Sequence, residues 1–288
     1  MNKQLKIIGL YSRERSPAGL TLLIAALLLT SVMKELPHPA IALIAILIAA
    51  LMLFLIRLSD DLCDVDIDRI AHPERLLCRD QFSVKILQRF RWLASGLLIL
   101  ISVLIAVNLV AMLIFLSAVL LICGLFFFLK PRLPILIHTA LLNAMLGIFP
   151  CYAGVLISGG IQPEHMLMAL FFWLGSFAHD LSHSLLDTRQ TPPDQLKPLN
   201  RFNQRILAVG SLVLYLACAG TGVLLFRQQA VGDAFLLVLG ICSLTILWLE
   251  LKLIRHPSRT TARPFYIWGY LFFLLPVLAE VVCRGIAP

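Results

Sequence analysis

Charge is what this 288-residue chain has least of. Asp, Glu, Lys and Arg make up only 14% of it, against about 25% in an average soluble domain. So small a share excludes a soluble globular enzyme and a disordered chain, both of which need a solvated charged surface. What charge there is leans positive, with 24 Lys and Arg against 16 Asp and Glu. The basic residues nevertheless form no stripe of the kind that binds nucleic acid; they punctuate the ends of apolar runs. The seven cysteines (Cys63, Cys78, Cys123, Cys151, Cys218, Cys242 and Cys283) contain no CxxC pair and no even framework. They read as small hydrophobes rather than as disulfides or metal ligands. A cleavable signal peptide is also missing. The first 17 residues mix Lys3, Lys6, Arg13, Glu14 and Arg15 with Ile7, Ile8 and Leu10, which suits an arm lying at a membrane interface.

What is present is apolar: 60% of the chain is hydrophobic and the mean hydropathy is +0.91. Runs such as Ala18 to Met33, Pro39 to Ile56 and Leu93 to Ala106 approach the ~20 residues that cross a bilayer core of about 30 Å. The pattern predicts an all-α polytopic membrane protein with nine spans, at 18–34, 40–58, 86–107, 109–129, 135–157, 163–185, 205–226, 232–253 and 265–283. Pro39, Pro134, Pro163 and Pro264 stand near helix starts, where a missing amide hydrogen costs little. Nine spans leave only Lys34, Arg227 and Arg284 of the 24 Lys and Arg on one face. By the positive-inside rule the other face, with the N-terminus, is cytoplasmic, and the C-terminus lies across the membrane.

Two acidic clusters fall at helix ends on that basic face. The first reads Arg57-Leu-Ser-Asp60-Asp61-Leu-Cys-Asp64-Val-Asp66-Ile-Asp68-Arg69. On a continuing helix Asp61, Asp64 and Asp68 share one face, Asp60 flanks it, and Asp66 points away. Stacked carboxylates repel one another unless a cation sits among them, and Mg²⁺ takes carboxylates together with substrate phosphates. An EF-hand is excluded, because Arg69 stands where its glycine belongs and Arg75 where its bidentate glutamate belongs. The second cluster reads His179-Asp180-Leu-Ser-His183-Ser-Leu-Leu-Asp187-Thr-Arg189, with Asp180 and Asp187 again on one face. Either cluster alone fits a solvated loop. As a pair with surrounding Arg and Lys they suit a diphosphate bridged by Mg²⁺.

In these motifs the chain resembles the UbiA superfamily of intramembrane prenyltransferases. Asp60, Asp61, Asp64 and Asp68 match its first motif, N/D-D-x-x-D-x-x-x-D. Arg69, Pro73 and Arg75 resemble the continuation, Asp180 and Asp187 the second motif, and Lys130 with Arg132 a family Lys-Arg pair. The leading Asn of the family is Asp60 here, and His183 stands where many members have Tyr.

The resemblance implies a single domain over 1–288, with its nine helices around a central cavity open to the cytoplasmic side. It implies Mg²⁺ held by Asp60, Asp61, Asp64, Asp68, Asp180 and Asp187. It also implies a prenyl diphosphate held by Arg69, Arg75, Lys130, Arg132, Arg189 and Lys197, and an aromatic or other lipophilic acceptor. Arg57 reads as a partner of Asp61 or Asp64, or as a substrate-binding residue. His183 either orients and deprotonates an acceptor hydroxyl or simply bonds its neighbours. Among these residues Asp64, Asp68, Asp180, Asp187 and His183 are the expected catalytic set. Asn143 and His138 read as helix-joining groups, and Glu250 with Lys252 as interfacial. A terpene cyclase of the same superfamily needs the same diphosphate site. A transporter would place its acids near the bilayer midplane, commonly within internal repeats, and neither feature is found. If the cell is bacterial, the expected residence is the inner membrane.

Overall fold

A computed structural model describes residues 3–33, 38–79, 84–183 and 201–286 of the chain. The described elements are thirteen α-helices: α1 (Lys3–Arg15), α2 (Ala18–Thr30), α3 (Pro39–Cys63), α4 (Val65–Ala71), α5 (Val84–Ile105), α6 (Leu109–Leu129), α7 (Ile135–Ala144), α8 (Ile148–Ser158), α9 (Pro163–His183), α10 (Arg201–Arg227), α11 (Asp233–Arg255), α12 (Arg259–Ala262) and α13 (Phe265–Ile286). Short 3₁₀ turns lie at Leu76–Cys78, Lys130–Arg132 and Met145–Gly147. Among the described residues, seven helical segments are long and apolar enough to cross a membrane: Pro39–Cys63, Val84–Ile105, Leu109–Arg132, Ile135–Ser158, Gln204–Arg227, Asp233–Arg255 and Arg259–Gly285.

Seven of the nine expected spans are therefore matched. The first expected span is apolar to Met33, but its helix stops at Thr30 and gives only 13 residues, short of the ~20 that a bilayer core requires. The sixth is a full 21-residue helix, α9. Glu164, His165, His179, Asp180 and His183 dilute its apolar character. The nearly loop-free junction after the third span is secured by a cap. The Asn108 side chain accepts from the Ala111 amide at 3.1 Å, so α6 starts three residues after α5 has ended.

The helices fall into two compact units. The first comprises Met1–Leu29, Glu35–Leu133 and Val155–Gly160. Its α3 packs along α5, while α1 meets α5 and the turn at Leu76–Cys78. There Ile7, Tyr11, Phe54, Leu58, Val65, Leu77 and Leu87 form one buried cluster. The Phe54 ring meets Tyr11 edge-on at 5.7 Å and Phe90 at 5.8 Å, an arrangement that aromatic quadrupoles favour.

The second unit comprises Thr30–Lys34, Pro134–Gly154 and Ile161–Pro288. Here α9 packs against α7, α10 and α13, and α11 against α10 and α13. Phe171, Phe172, Tyr215, Phe235, Phe272 and Phe273 fill its core. At one end Arg284 donates to Glu280 and to the carbonyls of Met33 and Ala230. Glu280 in turn accepts from the Gly232 amide at the head of α11 at 2.9 Å. Close helix contact depends on residues without side chains. A Cβ on Gly269 of α13 would collide with the His179 ring and stand 2.9 Å from the Tyr215 hydroxyl. Gly269→Ala should therefore destabilise this unit by ~1–3 kcal/mol through overpacking. Thermal unfolding in detergent would show it as a lowered midpoint, partly restored by adding His179→Ala.

Candidate functional site

The first acidic cluster sits where α3 passes into α4. The Asp64 amide still bonds the Asp60 carbonyl at 3.2 Å and the Asp68 amide bonds the Asp64 carbonyl at 2.7 Å. Asp64 itself caps α3 with φ −97° and ψ 3°, so the helix bends there while its hydrogen-bond ladder continues. As the periodicity requires, Asp60, Asp61 and Asp68 are buried and Asp64 is half-buried, while the Asp66 side chain is 93% exposed.

Burying several carboxylates together costs several kcal/mol per ion unless each finds a cation, and each does. Lys130, only 5% exposed at the end of α6, donates to Asp60 and, at 2.6 Å, to Asp64. Arg75 donates to Asp68. Asp61 is held differently: Arg15 of α1 grips both its oxygens at 2.7 and 2.8 Å, and the Tyr11 hydroxyl donates at 2.7 Å. Arg57 approaches the same carboxylate at 3.3 Å and Asp60 at 3.9 Å. Burial pushes the Asp64 carboxyl above the usual carboxylate range, against the pull of Lys130. Burial and the Asp61 charge push the Tyr11 phenol far up, so it stays an O–H donor.

Not every basic residue singled out by sequence joins this group. Arg69 pairs with the exposed Asp66 at 3.2 Å. Arg132 is exposed and lies over the Phe128 ring at 5.4 Å. Asp187, Arg189 and Lys197 lie outside the described residues.

The described part of the second cluster, His179 to His183, lies at the end of α9. Asp180 accepts from Asn143 of α7 at 2.7 Å, and the same amide group bonds the Thr139 carbonyl at 2.9 Å. Asn143 thus joins two helices through an acid of the motif. His183 stacks on His179 at 5.8 Å and faces Tyr266 at 5.1 Å. Buried His179 bonds the Phe265 carbonyl at 3.0 Å. Ser182 sits 3.4 Å from the Tyr215 hydroxyl.

Glu250 is not interfacial: it is fully buried in α11 and accepts from Ser211 of α10 at 2.7 Å. Because α11 continues to Arg255, Glu250 lies more than a turn inside the helix and faces its neighbour. Phe171 and Phe172 are core residues, and Trp173 donates to the Ala140 carbonyl at 2.9 Å.

Sequence reasoning passed over Tyr11 as a partner of the motif and placed Arg15 only in an interfacial arm. Their signal was the four-residue spacing of Ile7, Tyr11 and Arg15, which sets one face of α1 inward.

Among the described residues no three His, Cys, Asp or Glu side chains converge at metal-binding distances. The donor set nevertheless suits a hard divalent cation. Asp60 and Asp64 already converge on a single positive centre, the Lys130 ammonium, and oxygen donors are what Mg²⁺ takes. Removing that ammonium by Lys130→Ala should cost about 3 kcal/mol, because buried Asp60 keeps only the more distant Arg57 and half-buried Asp64 loses its ion-pair partner. Added MgCl₂ should then raise the thermal midpoint of the variant more than that of the parent protein, as a cation binding only the folded state must.

Comparison with known proteins bears on the fold and the family. Two solved structures share the fold. One comes from work on the biosynthesis of digeranylgeranylglyceryl phosphate synthase in membranes, with 17% identity, a TM-score of 0.70, and coverage of 98% of this chain and 99% of that one. The other is the apo structure of a UbiA homolog from Aeropyrum pernix K1, with 15% identity, a TM-score of 0.70, and coverage of 93% and 99%. No curated protein matches the chain. The model of the UbiA prenyltransferase family matches residues 19–275; that span takes in both acidic motifs, six of the seven long apolar segments whole and most of the seventh, and the chain, an integral membrane protein, belongs to the UbiA prenyltransferase family.

Proposed function

We propose that this protein is a Mg²⁺-dependent intramembrane prenyltransferase that moves a prenyl group from a prenyl diphosphate to an aromatic or other lipophilic acceptor. The observation that carries this reading is the pairing of Asp60 and Asp64 with one buried ammonium. It marks a place where carboxylates gather around a cation at the end of an apolar helix. Asp60, Asp64 and Asp68 on one motif, and Asp180 and Asp187 on the other, are the acids that would hold Mg²⁺. When bound, the metal would neutralise the diphosphate and stabilise the negative charge that develops on the leaving group.

The chain's own residues supply the rest. Lys130 and Arg75 are cations already among the acids and would donate to phosphate oxygens of the bound diphosphate. Arg57, Arg69, Arg132, Arg189 and Lys197 add positive charge to the same face. The C1–O bond of the donor breaks, its electron pair leaves with pyrophosphate, and the acceptor attacks the allylic carbon. The acceptor's proton passes to a base, for which His183 is the candidate, since a ring nitrogen of a neutral imidazole accepts one. Apolar spans serve this chemistry by keeping water from the allylic cation. The basic face carrying these groups is proposed to be cytoplasmic, on the inner membrane if the cell is bacterial.

The test uses purified protein with Mg²⁺ and geranyl, farnesyl or geranylgeranyl diphosphate, first without acceptor. Aromatic acceptors and a prenylglyceryl phosphate are then added, and pyrophosphate and organic products are followed. Pyrophosphate release that waits for an acceptor supports transfer. Cyclic hydrocarbons or terpene alcohols formed without one would make the protein a cyclase. Asp64→Ala and Asp180→Ala should each lower turnover by more than about a thousandfold while the protein still inserts, a loss on the scale of removing charge stabilisation from a transition state. Retained activity in either variant would sink the assignment.

A further inference from the structure

The four acids of the first motif are not held alike. Asp60 and Asp64 share one lysine and Asp68 meets one arginine. Arg57 stands farther off, 3.9 Å from Asp60. Asp61 is only 3% exposed, and both of its oxygens are engaged: by the two-pronged Arg15 guanidinium, by the Tyr11 hydroxyl and by Arg57. Forked guanidinium–carboxylate pairs are among the strongest and most directional of hydrogen-bonded pairs.

The partners that grip Asp61 belong largely to α1, which is itself fixed. Ile7 and Tyr11 are buried among Phe54, Leu58, Val65, Leu77 and Leu87. Next to Arg15, the Glu14 carboxylate accepts from the Leu76 amide at 3.1 Å. One helix end therefore bonds the chain on both sides of Asp64 and Asp68, at Asp61 before them and at Leu76 after them. The outward face of α1 carries Leu5, Lys6, Leu10 and Arg13, all exposed, a mixture suited to lying on a lipid surface.

We infer that Asp61 is the anchor of α1 rather than a metal ligand. Tyr11, Glu14 and Arg15 are positioning residues that hold the bent acidic segment in register, leaving Asp60, Asp64 and Asp68 for the cation. This inference rests on the diphosphate reading for its purpose, but the strap itself can be tested without turnover.

The experiment is hydrogen–deuterium exchange on the purified full chain in detergent, with Mn²⁺ binding in the presence of inorganic pyrophosphate read by electron paramagnetic resonance. Asp61→Asn and Arg15→Gln should each speed exchange in α1 and at 76–79 by more than about tenfold, as expected for local release of a docked helix. The double variant should be no worse than either single one. Tyr11→Phe, which keeps the ring and its packing, should give a smaller change in the same segments, and Arg15→Lys should restore only part. All four should raise the Mn²⁺ needed for half-saturation, whereas Asp64→Asn should raise it with α1 still protected. If Asp61→Asn weakens Mn²⁺ binding while α1 stays protected and Arg15→Gln binds Mn²⁺ normally, Asp61 is a ligand and the inference fails. Unchanged exchange in both Asp61→Asn and Arg15→Gln would also overturn it. A parent protein inert toward every prenyl diphosphate would count against the proposed reaction but would leave the exchange results standing.

Discussion

Carboxylates that must leave water without losing their charge set the terms for the first unit. Three acids of one motif are buried at the end of α3, where each needs a cation from elsewhere in the chain. Lys130 comes from the end of α6, Arg75 from beyond α4, and Arg15 from α1. Three separate pieces of chain are thus brought to one helix end by electrostatics, while the apolar cluster around Phe54 and Tyr11 supplies the burial that makes those pairs strong. An isolated surface pair would contribute little; here desolvation makes a missing partner expensive, and so makes the arrangement specific.

The second unit has a buried ion pair at one end, Glu280 with Arg284, and elsewhere joins its helices through hydrogen bonds. Its polar side chains are distributed along helix contacts: Asn143 to Asp180, Ser182 to Tyr215, Ser211 to Glu250 and His179 to a backbone carbonyl. Each joins one helix to another inside an otherwise aromatic core. Glycine admits the closest of these approaches, at Gly269, where two ring side chains occupy the space a methyl would take. The unit therefore carries Asp180 on a helix, α9, whose neighbours on several sides are fixed by hydrogen bonds and tight packing. Such a helix gives a reacting group a defined position, which loops rarely do.

Much of the candidate site could be read from spacing. The i, i+3, i+7 pattern puts Asp61, Asp64 and Asp68 on one face and turns Asp66 outward, because helical periodicity survives the bend at Asp64. Partner choice is not encoded locally. Arg69 is adjacent to Asp68 in sequence, yet it pairs with exposed Asp66, since its side chain leaves the helix on the other face. Glu250 looked interfacial because charged residues near a span end usually are, but its helix runs on past it and buries it. The part played by Tyr11 and Arg15 was hidden for a related reason: their partner lies 50 and 46 residues away, and only packing closes such a distance.

The sequence by itself determined the solvent this protein lives in, the helical character of its spans and the faces on which its acids fall. Those properties follow from apolar run length and from a period of 3.6 residues, both local quantities. The tertiary structure decided which cation meets which acid, how far an apolar stretch stays helical and which acid is tied to the first helix. Those outcomes depend on long-range pairing under desolvation. Ionic attraction does not distinguish one arginine from another until packing has settled which of them can reach a buried carboxylate.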